Sequence, residues 1–275
     1  MRPPAVPLPP GSEAGPEALP REMRTFAMPE LPDPAACPEA VSQLLEKVRE
    51  AAAACAGGGP GRRRFPLSGL QPSELALLDQ LLGEGEVSAR VADGAPLRVQ
   101  ESAFAGVWRV RRQGSGEGPA LELLEVGPIP GVVLEAAERG RPLPLFPGEL
   151  PEGVMNGPAL LEEVRQQLAA FSPGGPPHVI NFTLLPMAPT DFLLLERALG
   201  VGALTLLSRG YGNCRIGATG VRRVWRVQYY NSADQLILDT LEIAEIPEAA
   251  LAAPEDLSDS AQRLGELLQW LREPS

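Results

Sequence analysis

Between Leu207 and Ile216 the chain reads Ser208-Arg209-Gly210-Tyr211-Gly212-Asn213-Cys214-Arg215, its densest run of groups that can meet a ligand. The two glycines can take left-handed backbone conformations and let a ligand approach the main chain. The flanking guanidiniums suit carboxylate or phosphate, and can lower the pKa of a thiol beside them. Cys214 is therefore open to three readings: a nucleophile, a metal or cluster ligand, or a small buried residue that starts a strand. No Lys-Ser/Thr pair follows the glycines, so the run is not a P-loop. A second dense run, Tyr229-Tyr230-Asn231, lies a short way downstream.

Composition removes several functions. His178 is the only histidine and the cysteines are only Cys37, Cys55 and Cys214, in no CxxC pair. A self-contained zinc site and a disulfide framework lack their ligands and partners, and a Ser-His-Asp triad would have to use His178, whose surroundings do not favour one. The formal net charge is −11, with no basic stripe to neutralise phosphates, so nucleic acid is not an expected partner. The one basic run, Arg62-Arg63-Arg64, follows a glycine-rich segment and reads as solvated charge. No apolar run approaches the ~18–20 residues of a membrane span. The N-terminal stretch has no apolar signal region, so a cytoplasmic protein with no membrane partner is expected.

The elements that must position these groups come in two sets. Residues 65–130 align without a gap on residues 182–247. Phe65-Pro66-Leu67 meets Phe182-Thr183-Leu184, and Val107-Trp108-Arg109-Val110 meets Val224-Trp225-Arg226-Val227. Ile129-Pro130 meets Ile246-Pro247. The match predicts a duplicated unit. Each copy predicts a helix, capped by Ser73 or Thr190 and stopped by Gly83 or Gly200. Four strands follow, at about 86–91, 97–104, 106–112 and 120–127, and at about 203–208, 214–221, 223–230 and 236–244. A further helix precedes each copy: Val41, Leu44, Leu45, Val48, Ala52 and Cys55 mark one, and Leu160, Leu161, Val164, Leu168 and Phe171 the other. The expected fold is α+β, two tandem repeats of helix plus antiparallel meander. Its parts are a disordered Pro-rich arm over 1–37, a first repeat over 38–130, a linker over 131–156 and a second repeat over 157–275. The last helix, about 257–272, carries Leu257, Ala261, Leu264, Leu268 and Leu271 on one stripe, with Trp270 off it.

Duplication supplies an internal control. Trp108 and Trp225 agree and are expected in the core; Arg109 and Arg226 agree and are expected to form a repeated ion pair. The 208–215 loop does not agree, because its counterpart is Val91-Ala92-Asp93-Gly94-Ala95-Pro96-Leu97-Arg98. Tyr229-Tyr230-Asn231 faces Arg112-Gln113-Gly114. The reverse asymmetry is Glu101-Ser102 against Ala218-Thr219. Chemistry present in one copy only marks candidate function, which favours a one-sided recognition surface at Ser208, Arg209, Gly210, Tyr211, Gly212, Asn213, Cys214, Arg215, Tyr229, Tyr230 and Asn231.

Several runs carry a more specific likeness. His178-Val179-Ile180-Asn181-Phe182-Thr183-Leu184-Leu185-Pro186, the loop Ser208 to Ile216, Val227-Gln228-Tyr229-Tyr230-Asn231-Ser232 and Leu236-Ile237-Leu238-Asp239-Thr240-Leu241-Glu242 resemble the hydrogenase expression and formation family of the HupH/HyaF type. So do Ala253 to Leu257, Gly83 to Val87, and Gln100-Glu101-Ser102 with Ala105 to Val110. The likeness covers most of the chain from about residue 23. One departure is Arg226, where the pattern has a second Trp. The resemblance implies a non-catalytic accessory chaperone for nickel–iron hydrogenase. Its partner would be the iron–sulfur small-subunit precursor before export, with other hydrogenase accessory proteins as further candidate partners, and no resident cofactor is expected. The alternative class is a cluster-transfer or thiol-dependent maturation factor using Cys214 as a ligand or nucleophile.

Overall fold

A computed structural model describes residues 37–59, 62–92, 94, 96–112, 114, 120–144, 150–210 and 212–272. The Pro-rich arm expected over 1–37 lies outside the described residues, Cys37 excepted. The elements run α1 (Glu39–Ala56), β1 (Arg63–Pro66), α2 (Pro72–Leu82), β2 (Val87–Val91), β3 (Leu97–Glu101), β4 (Val107–Arg112), β5 (Leu121–Val126) and α3 (Gly131–Ala137). Then come α4 (Gly157–Ala170), β6 (His178–Asn181), α5 (Pro189–Leu199), β7 (Leu204–Ser208), β8 (Asn213–Ala218), β9 (Val224–Tyr230), β10 (Leu236–Ile243) and α6 (Pro254–Trp270). Short 3-10 turns follow β6 and β10 at Phe182–Leu184 and Glu248–Ala250. The class is α+β, as expected.

The strands form one ten-stranded sheet in the order β1-β5-β4-β3-β2-β7-β8-β9-β10-β6, every neighbour antiparallel. The order reads alike from either end, with five strands from each half. The halves join where Val87–Val91 of β2 pairs with Leu204–Ser208 of β7.

Two indoles pin corresponding places. Trp108 and Trp225 are buried, and their ring N–H groups donate to the carbonyls of Gly127 at 2.8 Å and Ala244 at 3.1 Å. Beside them Arg109 Nη2 meets Glu122 at 2.8 Å, and Arg226 Nη2 meets Asp239 at 2.7 Å. The ion pair is thus repeated.

The helix starts differ from expectation. The residues before the first turns are Gln71 and Ala188, and the helices open on Pro72 and Pro189. Proline at the first helical position has its φ preset and no N–H to satisfy, so Ser73 and Thr190 fall inside the turn. The capping groups are the acids after them. Glu74 accepts the N–H of Gln71 at 2.7 Å and Asp191 that of Ala188 at 2.9 Å. Asp191 is fully buried and also accepts from Met155 and Gly157 at 2.8 Å each, tying α5 to the start of α4. Burial works against its charge, but these N–H donors outweigh it and hold its carboxyl below the usual range. Gly83 and Gly200 end their helices, as expected, with φ of 59° and 68° and ψ of −165° and −171°, an extended positive-φ state open to glycine alone.

Three cores result. One lies on a single face of the sheet, draws Val87, Val99, Trp108, Leu206, Ile216 and Trp225 from both halves, and includes Val133 of α3. The stretch expected as a linker therefore opens with a helix that closes the shared core, because its apolar run is long enough for two turns. On the opposite face α1 and α2 cover one end and α4 and α5 the other. The C-terminal helix does not stay with the second half. Its stripe of Leu257, Ala261, Leu264 and Leu268 packs into the first half's core beside Val41, Leu45 and Val48 of α1, with Trp270 half-buried against the same cluster.

Candidate functional site

The loop and the tyrosine run meet at one end of the sheet. Ser208 pairs with Cys214 across the β7–β8 turn, Cys214 with Tyr229, and Asn213 with Tyr230. Tyr211 lies outside the described residues. Gly212 has φ 104°, which a side-chain-bearing residue rarely adopts. Gly210 leaves room for the Glu86 carboxylate, whose Oε2 stands 2.2 Å from where a Cβ would be and would have to swing aside for a larger residue. The N–H of Arg209 donates to the carbonyl of Glu86 at 3.1 Å, so the first half holds the turn of the second. Glu86 was missed from sequence, since only the β2–β7 seam brings it here.

Pleat alternation then sorts the side chains. Cys214 and Tyr229 point into the shared core with Trp225 and Val227. Cys214 is 4% exposed. Burial pushes its thiol up to about 11; a hydrogen bond with Tyr229 pulls the other way, and nearby Glu242 adds to the rise. Burial likewise pushes Tyr229 up to about 12. A nucleophile or cluster ligand needs thiolate, and this environment opposes it. Cys37 and Cys55 lie against a different core, and no group of three His, Cys, Asp or Glu among the described residues can hold a metal. The described residues thus do not fit an iron–sulfur cluster held by this chain alone.

Asn231 is occupied locally: its Oδ1 accepts the N–H groups of Ala233 at 3.0 Å and Gln235 at 2.9 Å, shaping the β9–β10 turn. What remains to face outward is Arg209, Gly210, Gly212, Asn213, Arg215 and Tyr230. Beside them stand residues the sequence did not single out. Leu236 pairs with Tyr230 and is 48% exposed, and Ile237, at a register shift, is 56% exposed. Leu184 is 79% exposed, on the turn that is tied to β10 by the Asp239 N–H donating to Thr183 Oγ1. The sequence carries a signal for Ile237 alone, whose first-half counterpart is Ala120; Leu184 aligns with an identical Leu67, which differs only in being 1% exposed. The arrangement is an apolar patch rimmed by Arg, Asn and Tyr, the make-up of a protein contact surface.

With this geometry in hand, the profile described as "HupH hydrogenase expression protein, C-terminal conserved region" matches residues 39–139 and 154–271. The chain belongs to that family. Two matched segments are compatible with a repeat. Among HupH-family relatives, the hydrogenase expression/formation protein HoxQ of Cupriavidus necator is 44% identical over 276 residues, covering 98% of this chain and 97% of its own. HupH of Rhodobacter capsulatus is 45% identical, covering 94% of this chain and 92% of its own. The hydrogenase-1 operon protein HyaF of Escherichia coli is 42% identical, covering 75% and 73%.

Proposed function

We propose that the chain is a non-catalytic accessory factor in nickel–iron hydrogenase maturation that binds the iron–sulfur small-subunit precursor before export. Membership of the hydrogenase expression family supports the pathway. The observation that carries the mode of action is the contrast within the candidate site: its thiol is buried and neutral, while Tyr230, Leu236 and Ile237 beside the Arg209–Asn213 turn are partly or largely exposed. A surface of that kind holds another chain; it does not transfer a group.

Its work is thermodynamic. By burying apolar surface of an incomplete precursor, it lowers the population of aggregation-prone states and withholds the precursor from export until it lets go. Arg209 and Arg215 supply polar register at the rim, and the fixed turns keep the ordering entropy low. The experiment is co-purification of the tagged full-length chain from cells making the precursor, with and without its leader peptide. Capture is expected with wild type and with Cys214→Ala. It is expected to fall at least tenfold with Tyr230→Ala combined with Leu236→Ser and Ile237→Ser. Absence of capture in both precursor forms, or loss of capture with Cys214→Ala in a protein of unchanged fold, overturns the proposal.

A further inference from the structure

On the side of the second half away from the candidate site, a cleft of about 390 Å³ opens between the segment after α3, the end of α4 and the turn before β9. Four arginines line it, Arg141, Arg165, Arg222 and Arg223, with Leu143 and Leu168 as apolar walls. On a chain of net charge −11 this concentration needs a reason. Among the described residues, two carboxylates serve three of the four guanidiniums. Glu138 is shared by Arg222 at 3.4 Å and Arg223 at 3.3 Å, and Glu162 pairs with Arg165 one helical turn away. Arg141 Nη2 donates instead to the carbonyl of Ala198 at 2.9 Å. Its backbone is fixed as well: the Arg141 N–H bonds Gly220 O at 2.8 Å and the Arg222 N–H bonds Arg141 O at 3.0 Å.

Arg223 is held in an unfavourable backbone state. Its φ is 65°, a left-handed value that costs a side-chain-bearing residue about 1 kcal/mol. Its guanidinium lies 4.3 Å from the ring of Phe171. The corresponding residue of the first half is Gly106, φ 76°. There the backbone state is unstrained, and the space above it is filled. A Cβ on Gly106 would stand 2.3 Å from Leu257 of α6, and Arg263 of α6 lies over Phe104 at 5.0 Å. The first half therefore seats its own Leu257 at this place, with the exposed Glu255 and Asp256 just before it in the chain. The second half carries arginines there, with no helix of this chain over them among the described residues.

We propose that this cleft binds an acidic segment of a partner protein, in which paired Asp or Glu side chains precede a leucine-like residue. The carboxylates take the outward N–H donors of Arg165, Arg222 and Arg223, and the apolar side chain rests on Leu143 and Leu168. Charge complementarity selects carboxylate, and the planar fork of each guanidinium favours bidentate contacts. Leu257 on Gly106, which Glu255 and Asp256 precede in the chain, is the internal precedent for the occupant. The inference stands apart from the precursor-binding surface, which lies at the other end of the strands.

Fluorescence anisotropy on the full-length chain tests it, with a labelled peptide repeating Glu-Asp-Leu as probe. Competitors are a version with lysines in place of the acids, and inorganic phosphate. The expected result is binding that weakens as salt rises and falls at least tenfold in Arg222→Gln with Arg223→Gly. The glycine relieves the backbone, so the melting temperature of Arg223→Gly stays at or above wild type. Unchanged peptide binding in the double variant overturns the proposal. So does phosphate competing as well as the unlabelled acidic peptide, which marks a plain anion site, or equal binding of the lysine version.

Discussion

In the first half Trp108 bonds Gly127 O, Arg109 bonds Glu122, and Ser102 accepts the N–H of Phe104; in the second Trp225 bonds Ala244 O, Arg226 bonds Asp239, and Thr219 accepts the N–H of Val221. Even the helix ion pairs match, Glu46 with Arg49 and Glu162 with Arg165. Apart from the buried Glu101, whose counterpart is Ala218, the halves part where they meet solvent or each other. The first has its side closed by α6 and its edge strand β1 guarded by Arg63, Arg64 and Pro66. The second has an arginine cleft where α6 would lie, an edge strand β6 without Arg, Lys, Asp, Glu or Pro, and exposed Leu184, Leu236 and Ile237. Charge and proline on an edge prevent further strand pairing, so their absence on one side is informative. The shared positions build the sheet, and the unshared ones make one half sociable.

This comparison can be broken in stages. Trp108→Ala and Trp225→Ala are each expected to destabilise by about 3–5 kcal/mol, and by similar amounts, in urea unfolding. A gap of more than ~2 kcal/mol between them would show that the two indoles do not carry equivalent loads. Next comes a position where the halves should disagree. Gly106→Ala is expected to lose roughly 2–3 kcal/mol through its positive φ and the contact with Leu257, while Arg223→Gly loses none.

The third test uses pH. Glu101, opposite Ala218, is 5% exposed, and burial pushes its carboxyl up to about 7, although the N–H groups of Gly106 at 3.0 Å and Val87 at 3.3 Å pull it down. A carboxyl with a raised folded-state pKa binds its proton more tightly folded than unfolded. Its contribution is complete below about 4.5 and is lost as pH rises through 7. Relative to Glu101→Gln, wild type should lose roughly 1–3 kcal/mol between pH 4 and 8 in melting experiments. Parallel curves would remove Glu101 as the source. The smallest expected effect is at the exposed end: Leu236→Ser with Ile237→Ser should shift stability by less than about 0.5 kcal/mol while abolishing precursor capture.

Much of the fold was readable because its signals are local and appear twice. The eight expected strands came within about two or three residues of their ends, the edge strands β1 and β6 were not expected, and the paired Trp and Arg were rightly read as framework. What escaped was long-range. Proline at the first helical position moved the caps off Ser73 and Thr190. The short apolar stretch 132–137 gave no hint that Val133 would close a core shared by both halves. The stripe on α6 declared an amphipathic helix but not its partner, and the partner is α1. At the site, residue types located the turn, yet pleat direction decided the chemistry: one step along β8 separates Cys214, buried, from Arg215, which faces the other side. Leu236 and Ile237 looked like ordinary strand residues until their exposure was visible.

The packing of α6 on α1 has a consequence for synthesis. The first half emerges from the ribosome with Val41, Leu45 and Val48 already on one stripe, but the helix that packs on them is encoded after the second half's strands. The strand β2 must likewise wait for β7. Until α6 is translated, the nascent chain carries an open greasy seam while the second half's strands are being made. A protein cast as a guardian of unfinished clients therefore passes through an unfinished stage of its own, and its yield in cells should respond to elongation speed between β6 and α6.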